Sequence, residues 1–521
     1  GEHTITLEVV PGDIGEIMRR LDDIIYDLSY YYRRILMITG PKPDEYNDYY
    51  LDRQIPGLVE ALNGAAEALY REKANIEKLG QGSEAAPLEA LAVILRRCTA
   101  KPDEIPQMTS SLRDYISAAS AWMRDYRDQP LEIDYIEVLT CHEQPGRSKG
   151  NFFEEFGFGF EAFIGSFFED YTMLSGTDAD SLNVWVALGR DQANVVKELT
   201  DSGFNAEHKD IHVNINLVQG SVLEASLAGK GPDIALFLGG DFPIQCAARD
   251  LLVDLSDFPD YESVVSERFV PSAETLYTYS GGVYGLPVSM SFPMMFVRTD
   301  ILGELGINDI PQTWDDLVGI IPVLQRSHLS AGLVRPASDM TSSVFEPGDT
   351  FAMLVLQTGG NMYRDSLSET TFGRKEIADV FRKWTEFYTI YDTEQVYDPF
   401  TRFRTGEMPI VISNYPFCNQ LMVSAPEIKG LWDFTHVPGT VDPVSGEINY
   451  PANPGSSGAV IFNKCADKQG AWEFIKWFTS DEVMSEYGRL IEGRTGQMGR
   501  FYTANKNALA FLSWSDTEYR K

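Results

Sequence analysis

The hydrophobic pattern of this chain of 521 residues changes period once, near residue 181, and that change limits what each part can fold into. Before it, apolar residues recur three and four apart. Ile14, Ile17, Leu21, Ile24, Ile25 and Leu28 share one helical face, and Pro41, Pro43 and Asp44 end that helix. A second helix carries Ile55, Leu58, Val59, Leu62, Leu69 and Tyr70, a third covers 86–97 and a fourth 108–126. The loops at 80–83 and 101–106 are short and polar, which predicts an antiparallel helical bundle over 13–130. After residue 181, apolar runs at 182–187, 211–218 and 234–238 alternate with amphipathic segments such as 191–200. That β-α-β order predicts α/β architecture, a parallel sheet with helices on both faces. Ligands of open α/β sheets sit outside the carboxyl ends of the strands, which directs attention to the loops 188–191 and 239–243.

The flanking segments are less regular. Residues 4–9 alternate polar and apolar and are stopped by Pro11-Gly12, so 1–12 is expected to be a terminal strand, the end of an upstream β-sandwich module. Residues 131–180 are expected to connect the bundle onward, through a strand at 131–139 and an aromatic-faced helix at 151–174. The phenylalanines 152, 156, 160, 163 and 167 of that helix have the spacing of a packed core. The chain begins Gly-Glu-His, without a Met or an export h-region, as expected of a processed or excised piece. The longest apolar stretch, 152–168, is interrupted by Glu154, Glu155 and Glu161 and is too short to span a bilayer.

Composition narrows the partners. A formal net charge of −34 argues against nucleic acid and against an anionic membrane surface, both of which demand clustered Lys and Arg. With 44% apolar and 12% aromatic residues, the chain has enough material for buried cores and is not a disordered polypeptide. A neutral polar ligand remains open. The five cysteines (98, 141, 246, 418, 465) form no CxxC or Cys/His cluster; Cys98 could pair with Cys141, but reduced or buried thiols are the favoured reading. His208 and His212 stand four apart, but His212 falls in a strand, so the helical metal-pair geometry does not apply. No G-x-S-x-G, HExxH or P-loop occurs. No catalytic residue, metal or cofactor is expected.

Seven motifs in order then carry a resemblance: LNVWVALGRDQ (182–192), GKGPDIALFLGGDF (229–242), GGVYGLPVSMSFPMMFVRTDIL (281–302), PQTWDDL (311–317), LQTGGNMY (356–363), FRTGEMPIVISNY (403–415), and the late pair NPGSSGAVIF (453–462) with AWEFIKWFTSDEV (471–483). From about 182 to 500 the chain resembles the extracellular solute-binding proteins of bacterial ABC importers, the carbohydrate-binding, maltose-binding-protein-like group. It departs from the pattern at Met408-Pro409, where Ala-Met is usual. The resemblance implies a two-lobed, type II periplasmic-binding-protein-like fold over 181–500, preceded by the all-α bundle. Lobe 1 would take about 181–290 plus later returning segments, lobe 2 about 291–440, and 501–521 would be a C-terminal tail. Thr313 is expected to cap the helix it opens, with Asp315 and Asp316 at its positive end.

Binding a neutral sugar requires hydrogen-bonding groups for many hydroxyls and an aromatic face for the ring's C–H surface. The strand-end loops offer Arg190 and Asp191 as donor and acceptor, Gly239 and Gly240 for close backbone approach, and Asp241 beside them. Ser289 and Ser291 alternate, so both point to one face; by the resemblance, Ser291 stands where many relatives carry an acidic side chain. Asn414 and Tyr415 end an apolar strand, Ser456 and Ser457 lie in a Pro-Gly-Ser-Ser-Gly turn, and Trp432 is a candidate second stacking ring. Arg494 and Gln497 fall where relatives have a late ligand-side loop. Each residue has a structural alternative: Arg190–Asp191 as a surface pair or helix cap, Ser456 and Ser457 as hinge-shaping groups, Trp432 as core. Asp233 is expected to brace a turn, and Trp314, Trp472 and Trp477 to be core.

The resulting expectation is a monomeric extracellular receptor that captures a carbohydrate, an oligosaccharide by preference, and delivers it by hinge closure to the transmembrane permease subunits of an ABC transporter. Cell-surface attachment as a Gram-positive lipoprotein goes with that reading. A glycan-active hydrolase or lyase, or a sensor built on the same fold, stays open as an alternative.

Overall fold

The computed structural model describes residues 12–78, 85–127, 181–218, 222–333, 347–364, 369–394, 397–452 and 454–514. The strands expected at 4–9 and 131–139, the aromatic-faced helix at 151–174 and Cys141 lie outside them. In chain order, helices α1 (Gly12–Thr39), α2 (Leu58–Lys78), α3 (Ala86–Ala100) and α4 (Ile105–Arg127) precede strand β1 (Leu182–Val186), helix α5 (Arg190–Leu199), and strands β2 (Val213–Leu217) and β3 (Ile234–Gly239). Helix α6 (Phe242–Ala247) and the consecutive strands β4 (Leu286–Ser291) and β5 (Pro293–Arg298) follow. Next come α7 (Trp314–Arg326), β6 (Ala331–Gly332), α8 (Pro399–Thr405), β7 (Ile410–Asn414), α9 (Pro416–Ser424) and β8 (Trp432–His436). The chain closes with β9 (Gly455–Ile461), α10 (Lys468–Phe478) and α11 (Asp481–Thr495). The described residues form two compact units, one from 1–129 with 292–453 and the other from 130–291 with 454–521.

In the first unit, α1 packs against α2 and α4, α2 against α3, and α3 against α4, a four-helix ring in sequence order. Leu21, Ile25, Leu28, Tyr32 and Ile35 repeat four and three apart and are all buried, so one continuous stripe of α1 faces the bundle core. Leu58, Leu62, Ala66, Leu69 and Ile76 do the same on α2. Glu72 interrupts that stripe with a side chain only 1% exposed. It is tolerated there because Arg20 grips it bidentately at 2.8 and 3.1 Å and Asn75 donates at 3.1 Å. Cys98, Cys246, Cys418 and Cys465 are buried and in no disulfide among the described residues, and burial pushes the Cys98, Cys246 and Cys465 thiols up to about 11.

The bundle does not stand alone. Helix α1 has 28 residues, about 42 Å at 1.5 Å per residue, and its last turns serve a second core. Leu36 joins Met295, Val297, Trp314, Ile410 and Ile412 of the α/β half of this unit. Tyr32 donates to Glu407 Oε1 at 2.7 Å, and Arg33 pairs with Glu304 at 3.3 Å. Gly406 makes the approach possible: its φ is +87°, and a Cβ there would lie 2.5 Å from Ile301 and 3.0 Å from the Arg33 side chain.

The sheet of this α/β half, lobe 2, runs β8-β5-β7-β6, antiparallel except for the β6–β7 pair. Thr313 caps α7 as expected, in a reciprocal box with Asp316 at 3.1 and 2.9 Å. Trp314 is fully buried and donates to Gln357 at 2.7 Å. Gln357 in turn donates to the carbonyls of Pro438 and Pro451 at 3.0 and 3.3 Å, which fixes both ends of the loop after β8.

In the second unit, lobe 1, the sheet order is β2-β1-β3-β9-β4. Strands β1, β2 and β3 are parallel, and β9 runs antiparallel to both β3 and β4. The carboxyl ends of β1–β4 and the amino end of β9 therefore share one edge. Asp233 braces β1, accepting from the Asn183 amide at 2.9 Å. Between Gly458 and Val460 the register slips; β3 carries the extra residue, with Phe237 at φ +61°. That bulge sends consecutive side chains, Leu236 and Phe237, into the same core, where Phe237 meets Tyr487 and Phe501. Trp472 is core as expected; Trp477 is half-buried against the same cluster.

The tail expected over 501–521 is, through residue 514, part of this lobe. Tyr502 accepts from the Met290 amide at 3.1 Å, and the Ala504 amide donates to Val288 at 2.9 Å, so 502–504 lie along β4. Phe501, Ala504 and Ala508 enter the core, and Asn505 binds Thr479 and Asp481 at 2.9 and 2.7 Å. Periodicity misses this segment because its one regular element is a single 3₁₀ turn, Ala508–Phe511.

Two outcomes follow for the first unit. Tyr32→Phe removes the donor to a buried carboxylate and is expected to lower stability by about 1.5–3 kcal/mol, read as an earlier urea midpoint; an unchanged midpoint would show that the contact contributes nothing to docking. Burial by itself raises the Glu72 pKa, but the hydrogen bonds from Arg20, Asn75 and Arg71 outweigh it and hold the carboxyl below its usual range. Its contribution is complete above the unfolded value of about 4.3 and is lost as pH falls through the lower folded value. The wild type should therefore lose more stability than Glu72→Gln between about pH 5 and pH 3, measured by urea unfolding at each pH; parallel losses would contradict it.

Candidate functional site

The shared edge of the lobe 1 sheet gathers most of the residues singled out from the sequence. Ser457 pairs in register with Gly239 on one side and Ser289 on the other, and Gly455 pairs with Ser291. Ser456 donates to the Ser289 carbonyl at 2.7 Å. With its one proton used, Ser456 must accept at 2.7 Å from Tyr277, whose phenol is held protonated by burial. Gly458 permits this, because a Cβ there would fall 2.6 Å from the Tyr277 ring. Ser456 is thus a brace of the edge. Ser289 and Ser457 share one hydrogen bond of 2.6 Å, which leaves the pair one hydroxyl proton for another acceptor. Ser291 is 2% exposed, and its hydroxyl has no partner among the described residues.

Around this serine row lie exposed groups. Gly240 has φ +65° with open space where a Cβ would be, and Asp241 keeps one carboxylate oxygen beyond the 2.7 Å bond from Gln245. Arg190 and Asp191 are the first two residues of α5 and are solvent-facing. Tyr502 is half-buried beside β4, its phenol pKa raised by burial.

Lobe 2 presents its own set at one end of its sheet. Asn414 closes β7 opposite Pro293, the first residue of β5, and is 8% exposed, its side-chain oxygen without a partner among the described residues. Tyr415, 7% exposed, heads α9. His436 of β8 pairs with Met294 at this same end, and the Tyr450 ring packs on it at 3.8 Å between centroids. The His436 Nδ1 lies 3.1 Å from the Val437 carbonyl. This exposed histidine and half-buried tyrosine were missed from the sequence. The loop that carries Tyr450 is held by the pairing of 440–441 with 448–449 and by Gln357, a contact spanning 94 positions.

Two expected residues fall away from these edges. Trp432 begins β8 opposite Arg298, four residues or about 14 Å along the strand from His436, and packs against Phe296 and Phe434. Its strand direction, invisible in the sequence, turns a candidate stacking ring into part of the far end. Arg494 pairs with Glu198, eight residues into α5 from Arg190, so it sits about 12 Å down the helix layer from that edge. It clamps α11 to α5.

Nothing in this constellation gathers metal ligands: among the described residues no three His, Cys, Asp or Glu side chains form a cluster. The rims instead offer neutral hydroxyls, amide and backbone groups, with single charges at the margin. Such groups bind polar, uncharged surfaces by hydrogen bonds.

Comparison with known proteins agrees with the order of these elements. The family model described as bacterial extracellular solute-binding protein matches residues 189–485, more than half of the chain. A second, described as bacterial solute-binding protein, 4-helix bundle domain, matches 16–123. The arabinooligosaccharide-binding protein of Bacillus subtilis is 24% identical over 194 residues, which are 35% of this chain and 41% of that protein. The match thus spans less than half the length of that curated relative. Among solved structures, the sugar-binding protein MalE from Xanthomonas citri aligns with a TM-score of 0.48 at 19% identity, over 61% of this chain and 79% of that one. An ABC substrate-binding protein of Listeria monocytogenes, in complex with cycloalternan, aligns at 0.47 and 17% identity, over 66% and 85%. Two strand-end rims on an α/β scaffold, together with a family model that runs from the loop after β1 into α11, make the chain a member of the bacterial extracellular solute-binding proteins that carries their four-helix bundle domain.

Proposed function

We propose that this solute-binding protein captures a carbohydrate, an oligosaccharide by preference, and hands it to the membrane-spanning permease of an ABC importer. The observation that carries the reading is the chemistry of the rims: a row of serine hydroxyls on lobe 1, and on lobe 2 an unpartnered buried amide oxygen and a His–Tyr ring pair at the same end of the sheet. A sugar ring needs both, since its hydroxyls exchange hydrogen bonds while its C–H face rests on an aromatic ring. The names of the relatives point the same way, toward arabino-oligosaccharides and other glycans. Ligand would favour closure of the two lobes, because only the closed form satisfies groups on both rims. The receptor would act as a monomer, attached to the cell surface of a Gram-positive bacterium through a lipid. The net charge of −34 suits a soluble surface and an uncharged ligand.

Calorimetry against arabinan, maltodextrin and mannan oligosaccharides, with a peptide and sulfate as controls, tests this. One glycan series is expected to bind at about 1 μM or tighter, near −8 kcal/mol, and to be recovered unchanged. Heat from the peptide or sulfate alone would overturn the carbohydrate assignment, and a cleaved glycan would overturn the receptor assignment. Within the responding series, Tyr450→Ala is expected to weaken binding about tenfold, the loss of one aromatic contact. Trp432→Ala should leave affinity within about twofold. The reverse ranking would place the stacking ring at the other end of the lobe 2 sheet.

A further inference from the structure

The serine row, Gly240 and Asp241 give the lobe 1 rim hydrogen-bonding groups but no aromatic face, and a sugar ring uses both. The segment after α11 brings a ring to this edge. Residues 502–504 lie antiparallel along β4. The Met290 amide donates to the Tyr502 carbonyl at 3.1 Å, Ser289 stands opposite Thr503, and the Ala504 amide donates to the Val288 carbonyl at 2.9 Å. Tyr502 is therefore level with the last residue but one of β4, about 3.4 Å short of the strand's carboxyl end.

Register decides which side chains share a face. Opposed residues of an antiparallel pair point the same way, and successive residues alternate. Ser457, Ser289 and Thr503 thus form one row across the strands, and Ser456, Met290 and Tyr502 form the next row on the other face. Val288 and Ala504, which share the face of Met290 and Tyr502, are buried in the core of the lobe. Met290 is partly buried against that core. Tyr502 stands where the core reaches the rim.

The ring is supported without being enclosed. Tyr502 is half-buried, and the Phe501 ring lies at 26° to it with centroids 6.3 Å apart. Two other tyrosines of this lobe spend their phenol protons internally: Tyr261 on Glu274 at 2.6 Å and Tyr277 on Ser456 at 2.7 Å. Burial raises the Tyr502 phenol pKa, and no hydrogen bond contributes to the shift, so this phenol is a neutral donor with its proton unspent. A ring already held by the protein loses little freedom when a ligand settles on it.

We propose that Tyr502 is the sugar-contacting ring of lobe 1, its open face taking the C–H face of one sugar unit and its phenol donating to a sugar hydroxyl. The assignment rests on the carbohydrate reading and adds to it a binding residue that lies outside any regular strand or helix.

Calorimetry with whichever glycan series binds the wild-type chain reads the contact. Tyr502→Ala is expected to weaken binding about tenfold. Tyr502→Phe, which keeps the face and drops the proton, should weaken it about threefold. In protein labelled with fluorotyrosine, the fluorine resonance missing from Tyr502→Phe identifies Tyr502. That resonance is expected to shift on addition of the glycan, a response that a ring serving only to pack the lobe would not give. Should Tyr502→Ala fail to fold by circular dichroism, the phenylalanine variant and the resonance decide. Affinity within about twofold of wild type in a folded Tyr502→Ala, or a Tyr502 resonance indifferent to bound glycan, would overturn the assignment and leave the carbohydrate reading intact. Absence of binding by every glycan in the wild type would overturn that reading, and this assignment with it.

Discussion

The contact on which the first unit depends is the hydrogen bond from Tyr32 to Glu407, buried where α1 leaves one core and enters another. Its geometry requires three things at once. The helix must run past the end of the bundle, Gly406 must have no side chain, and Glu407 must be held by Arg402 at 3.0 Å so that its charge is matched. A buried carboxylate without such partners would be expensive. Supplied with them, it makes the bundle and lobe 2 a single body, which explains why a helical domain legible as separate in the sequence is not separate in space.

Topology then decides where ligand chemistry can gather. In lobe 1, right-handed β-α-β connections bring the carboxyl ends of the parallel strands to one edge, and β9 returns antiparallel so that its first residues meet them. Ser289, Ser457 and Gly239 are thus neighbours although 218 positions separate the outermost two. The sheet uses some of these groups itself. Ser456 is occupied by Ser289 and Tyr277, whereas the Ser289–Ser457 pair retains a free proton. Counting donors, rather than counting serines, separates the brace from a group with hydrogen-bonding capacity to spare.

Local patterns made most of the fold legible. Three-and-four spacing placed the bundle helices to within a few residues of their ends, Thr313 and Asp316 formed the capping box their spacing implied, and the strands beginning at Leu182 and Ile234 were read almost residue for residue. The strand-end positions of the candidate site were legible only where a residue followed a strand whose direction was known. Gly240, Asp241, Ser289 and Ser457 fall in that class. Trp432 does not, because nothing local tells which end of an antiparallel strand faces the ligand side. Tyr450 and His436 were invisible for a related reason: a buried glutamine 93 positions before Tyr450 determines where the tyrosine stands. Phe237 shows the same limit in a strand, where an αL residue that would ordinarily be glycine puts two successive side chains into one core.

Unsatisfied polar atoms take their meaning from their place in the fold. Most buried polar groups in a folded chain are paired, and in lobe 1 the serine row largely satisfies itself. The exceptions among the described residues are spread over both units, from Ser29 of the bundle to Asn216 of lobe 1 and Trp384 of lobe 2, and Ser291 and Asn414 are two of them. Ser291 and Asn414 are the last residues of strands β4 and β7, where the chain turns away from its sheet. A hydroxyl or amide left without a partner in a hydrophobic core would gain by replacement with an apolar residue of similar size. At a strand end the same group can gain a partner from outside the sheet. For Ser291 and Asn414 it is therefore position at a strand end, and not the want of a partner by itself, that marks a candidate binding group.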